Sequence, residues 1–79
     1  MSTLVKRSIT LHGHRTSIAL EPEFWQALDE MQKETGSSFA ATIARIDDNR
    51  DPQAGLSSCI RVAILSYLQT KLGAVDTEL

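Results

Sequence analysis

The chain has 79 residues, 42% of them hydrophobic and 23% charged, with a formal net charge of −2. That length excludes more than one domain, and the apolar content excludes wholesale disorder. The lone Cys59 excludes a disulfide framework or a cysteine zinc site, and no apolar run reaches signal-peptide or membrane-spanning length, so a cytoplasmic, reducing location is expected.

Charge is distributed unevenly. Residues 1–20 carry Lys6, Arg7 and Arg15, with His12 and His14 beside them, and no acid, so the segment is +3. The remainder holds all the acids against five basic residues and is −5. A basic arm on an acidic body is the pattern expected when the arm alone meets an anion.

Residues 4–12 alternate, Val5, Arg7, Ile9 and Leu11 opposing Lys6, Ser8, Thr10 and His12. Gly13 then interrupts, as a tight turn or as a kink in one long strand. From His14 the alternation resumes, with Thr16, Ile18 and Leu20 on one face and Arg15, Ser17 and Ala19 on the other. A lone strand of this length leaves backbone groups unpaired, so a second copy of the chain is the simplest expected partner.

A first helix is predicted from Glu21 or Pro22 to Glu34 or Thr35. Pro22 suits the first turn, Glu21 and Glu23 the positive end of the dipole, and Gly36 the stop. Phe24, Trp25, Leu28 and Met31 form its apolar stripe. A second helix follows Ser37 and Ser38, either able to cap it, and runs through Phe39, Ile43 and Ile46 to about Asp48. Residues 47–55, with Pro52 and Gly55, read as a loop. The third helix is predicted from Leu56, Ser57 and Ser58 to about Leu72. Its stripe of Ile60, Ala63, Ile64, Tyr67 and Leu68 is widened by Cys59, Val62 and Leu65, which calls for burial between other elements, at a dimer centre. Residues 1–79 thus make a single domain: an N-terminal strand or arm over 1–13, a core over 14–72 and a fraying tail over 73–79.

Other chemistry finds little support. Asp47, Asp48 and Asp51 suggest a calcium loop, but the sixth-position Gly and twelfth-position Glu are missing. His12 and His14 could share a strand face, yet no third ligand stands nearby in sequence, and zinc takes three or four. Cys59 sits on the apolar stripe, where a thiol is core rather than nucleophile. No catalytic constellation stands out, so an enzyme, a cofactor, a metal and a small-molecule substrate are all unexpected.

Two blocks carry a family resemblance. Arg15-Thr-Ser-Ile-Ala-Leu-Glu-Pro-Glu-Phe-Trp-Gln-Ala-Leu28 resembles the ribbon and first helix of ribbon-helix-helix regulators. Gly55-Leu-Ser-Ser-Cys-Ile-Arg-Val-Ala-Ile-Leu-Ser-Tyr-Leu68 is similar to their second helix. The chain departs from the common pattern by inserting residues 37–54, with an extra helix, between the two. An alternative register makes Ser38–Asp48 the second family helix; the Ile-Arg-Val-Ala-Ile run favours the later one. The whole chain also resembles a subfamily of small bacterial proteins with this architecture.

The resemblance implies a mostly α fold with a short N-terminal β ribbon, assembled as a homodimer or higher oligomer, and double-stranded DNA as partner. Such a protein acts in transcription regulation. The ribbon enters the major groove, so Arg15, Ser17 and Ala19 face the bases, Arg15 able to donate twice to guanine. Phosphates are met at the start of the second family helix, by Ser57 and Ser58 and the free N–H groups there, with Lys6 and Arg7 assisting. Arg61 either supports the same phosphate or faces solvent. Ala19, the acidic body and the inserted helix favour the alternative, a dimerisation or protein-interaction module that does not bind DNA.

Overall fold

The computed structural model describes the backbone of residues 3–76 and the side chains of residues 3–73. Strand β1 (Val5–Leu11) pairs antiparallel with β2 (His14–Leu20), in a register running from Val5 opposite Leu20 to Leu11 opposite His14. His12 and Gly13 join them with φ of 50° and 79°. Two left-handed residues in a two-residue loop match the right-handed twist of the strands. Gly13 is therefore a turn and not a kink. β1 thus supplies a partner strand to β2 within the chain, along one edge. Among the described residues the sheet has two strands, and no strand pairs with the other edge of β2.

Residues directly opposite one another share a face. Ile9, Leu11, Ile18 and Leu20 are buried on the inner face, as the alternation predicts. Lys6, Ser8 and Thr10 of β1 lie opposite Ala19, Ser17 and Arg15 of β2 on the outer face.

Three helices follow: α1 (Pro22–Thr35), α2 (Phe39–Asn49) and α3 (Leu56–Asp76). Pro22 takes the first turn of α1, and Gly36, at φ 71°, closes it by donating its N–H to the Gln32 carbonyl at 2.9 Å. Ser38 caps α2, its Oγ accepting the Ala41 N–H at 3.1 Å. Trp25, Leu28 and Met31 of α1, Ile43 of α2, and Ile60 and Ile64 of α3 join the inner sheet face in one core. The molecule is thus mostly α with an N-terminal ribbon, and α2 lies between the two blocks that carry the family resemblance.

The third helix starts at Leu56 as expected and runs four residues past the expected end at Leu72. Its first turn closes on Gly55, whose carbonyl accepts the Cys59 N–H at 3.1 Å. Gly55 holds the cap position, a residue type tolerated there, and Ser57 and Ser58 fall inside the first turn. At the far end α3 runs through Gly73 to Asp76. A glycine stops a helix where it turns left-handed, and among the glycines only Gly13 and Gly36 do so. The helix thus covers residues 73–76 of the expected tail, and residues 77–79 lie outside the described residues.

Candidate nucleic-acid interface

The ribbon's outer face presents six side chains in two rows, Lys6, Ser8 and Thr10 on β1 and Arg15, Ser17 and Ala19 on β2. All are exposed except Ala19, which is half-buried. The face carries no acid, and neither Lys6 nor Arg15 makes an ion pair among the described residues. Two uncompensated cations among hydroxyls form a surface suited to a polyanion. The pairing register brings in Ser8 and Thr10, which sequence reasoning placed on the right strand face but did not assign to the site.

Arg7 is not part of this face. It projects inward, where its Nη1 donates to Asp29 Oδ1 at 3.3 Å and its guanidinium lies 4.3 Å from the Trp25 ring centroid. Trp25, 3% exposed, donates its Nε1–H to the Val5 carbonyl at 2.8 Å and meets Phe39 edge to face. These contacts clamp the start of β1 to α1, and thereby hold Lys6, between Val5 and Arg7, in place.

Ser57 and Ser58 are not brought to the outer face either. The start of α3 lies beneath the turn end of the hairpin, where Leu56 lines a depression with Leu11, His12, His14, Thr16, Asp47 and Arg50. Arg61 neither faces open solvent nor waits for an anion: its Nε donates to Glu21 Oε1 at 3.0 Å and it lies over Phe24. Glu21, at the junction of β2 and α1, is held below its ordinary carboxyl pKa by its backbone N–H and by Arg61.

At the hairpin tip His12 Nε2 lies 2.9 Å from Asp48 Oδ1 and 3.5 Å from Asp47 Oδ2. The fold thus supplies from α2 the carboxylates that sequence proximity did not, and these three residues form the described group able to hold a metal. His14 is not in it. Arg50 Nε already holds Asp47 at 2.7 Å, and His12 and Asp48 are well exposed. An imidazole drawn to two carboxylates at a helix C-terminus needs no ion to explain it.

Against known proteins, the ribbon-helix-helix domain family matches residues 4–68, which is most of the chain. The protein belongs to that family. Ribbon-helix-helix domains are generally those of DNA-binding transcription regulators, typically dimeric and typically without enzymatic activity. No curated protein and no solved structure matches the chain. Among the described residues no helix is long and apolar enough to cross a membrane.

Proposed function

We propose that this protein is a dimeric DNA-binding transcriptional regulator that lays the outer face of its ribbon into the major groove. The observation that carries the reading is the acid-free outer face with Lys6 and Arg15 unpaired, on a body that is otherwise acidic. A second copy added antiparallel along the open edge of β2 makes a four-stranded face whose central strands are the two copies of β2. Three interstrand gaps of about 4.8 Å span about 14 Å, against a groove about 12 Å wide. The central strands fit inside, and the β1 strands come over the groove walls.

Each row then has its own task. Arg15 and Ser17 reach base edges, Arg15 as a two-pronged donor to guanine, while Ala19 offers a methyl contact. Lys6, with Ser8 and Thr10, meets phosphate oxygens. Ser57, Ser58 and Arg7, lying off this face, contribute little. One strong donor per ribbon supports modest sequence discrimination with affinity mostly from the backbone. The test is retardation of mixed duplex fragments by the wild-type and Arg15→Ala proteins. Loss of about 1–3 kcal/mol of binding is expected for a lost two-pronged contact. Unchanged affinity with the dimer intact removes the ribbon from binding. The thin reading head of Ala19 and the acidic body favour a second reading, an interaction module without DNA binding, which failure to bind any duplex at low salt would establish.

A further inference from the structure

The inserted helix α2 does not close fully against α3. Between the end of α2, from Arg45 onward, and residues 58–63 of α3 lies an open groove of about 430 Å³, within the roughly 300–1,000 Å³ of small-molecule sites. Its walls are mostly apolar, with Ile46 on one side and Cys59, Val62 and Ala63 on the other. Val62 is 58% exposed, so the chain itself does not cover this surface. Two arginines, Arg45 and Arg50, stand among these side chains, and no acid is among the described residues that line the groove. The cations differ in their engagement. Arg50, Arg61 and Lys71 each hold a carboxylate, whereas Arg45 makes no ion pair among the described residues. Arg50 is pinned in place, its Nε donating to Asp47 Oδ1 at 2.7 Å and its Nη1 to the Ala54 carbonyl at 2.6 Å.

We infer that this groove binds a small amphipathic carboxylate, its apolar chain against Val62 and Ala63 and its head group on Arg45, with Arg50 adding positive charge. The site lies apart from the ribbon's outer face and does not depend on DNA binding. Size argues against a macromolecule. The lining stretch of α3, residues 58–63, spans about 8 Å at 1.5 Å per residue, less than the roughly 10 Å thickness of a helix. A protein partner needs about 800 Å² of its own surface buried. Charge argues against a second copy seated here. A two-fold contact would gather two copies of Arg45 and of Arg50, with no acid in the lining to face them. A carboxylate with an apolar chain answers both features of the groove. Its chain takes Val62 and its neighbours out of water, and the arginine fork matches the two carboxylate oxygens. A neutral apolar molecule would leave Arg45 unused, and a cation would meet like charge.

The experiment is titration of the full chain with octanoate, and with octanol as the uncharged probe of equal chain length. Binding is read by calorimetry and by the rate at which iodoacetamide alkylates Cys59, the only thiol. Cys59 lines the groove, so its alkylation reports occupancy of this place rather than of another surface. Octanoate is expected to bind saturably and to slow alkylation in step with occupancy. Octanol should bind about tenfold more weakly, and Arg45→Ala should weaken octanoate by about the same factor, the value of one charge-assisted contact. Arg45 is exposed and unpaired, so its truncation leaves the fold intact, which circular dichroism checks. If that variant does not fold, the octanoate-to-octanol ratio and Cys59 protection in wild type decide alone. Absence of saturable binding, alkylation indifferent to octanoate, octanol binding as well as octanoate, or a folded Arg45→Ala binding like wild type would overturn the site. Alkylation that slows with rising protein concentration, without octanoate, would show a second copy covering the groove and overturn it as well.

Discussion

Replacing Trp25 by phenylalanine removes the clamp between β1 and α1 while keeping an aromatic in the core. The substitution deletes the Nε1–H that donates to the Val5 carbonyl at 2.8 Å. Leaving a part-buried acceptor unpaired costs about 1–3 kcal/mol, and the lower end applies because water reaches the exposed Val5. The Arg7 guanidinium, 4.3 Å from the ring centroid, loses a better face for a poorer one, worth about 0.5 kcal/mol at a partly exposed site. The lost half of the indole leaves space beneath the sheet and adds about 1 kcal/mol. Together these come to about 2–3 kcal/mol, a large share of the roughly 4–12 kcal/mol available to a domain of this size. With a urea dependence near 1 kcal/mol per molar, the midpoint should fall by about 2 M. Far-UV circular dichroism must follow the unfolding, because Trp25 is the only tryptophan, and protein concentration must be held fixed for an associating chain. A midpoint lowered by less than about 0.5 M would refute the clamp and the reason given for the position of Lys6.

Further outcomes follow from the same contacts. Glu21 has a depressed carboxyl pKa in the folded state, so its contribution is present above the unfolded value and is lost as pH falls through the folded one. Glu21→Gln should therefore lower stability at neutral pH and converge with wild type at acid pH, which flattens the acid limb; an unaltered acid limb would contradict this. No atom crowds a Cβ at Gly13, but its φ of +79° is unfavourable for any other residue. Gly13→Ala is accordingly expected to cost about 1–2 kcal/mol in denaturant unfolding, and a neutral result would mean the turn relaxes to another type.

Local patterning made most of the fold legible. The period-two alternation placed Ile9, Leu11, Ile18 and Leu20 inward, and the proline, serine and glycine signals set both ends of α1 and the start of α2. The partner of β2 was not legible, because Gly13 permits a turn or a kink and only the folded register decides. Arg7 stood on the correct strand face in the alternation, yet nothing local announced Asp29, which lies 22 residues away. Ser57 and Ser58 enter the first turn of α3 behind Gly55, whose carbonyl accepts the first helical bond. The carboxylates beside His12 were hidden for the same reason as Asp29. They come from another element.

The most direct measurement is the salt dependence of binding to a random duplex by wild type, Lys6→Ala and Arg15→Ala, read by fluorescence anisotropy. If the outer face meets DNA, log affinity should fall steeply with log salt, at about −0.9 per phosphate neutralised. Lys6→Ala should make the slope shallower by about two phosphates per dimer, and Arg15→Ala should chiefly reduce the preference between fragments. No binding at low salt, or slopes and preferences unmoved by either substitution, would contradict the assignment of this ribbon face to DNA.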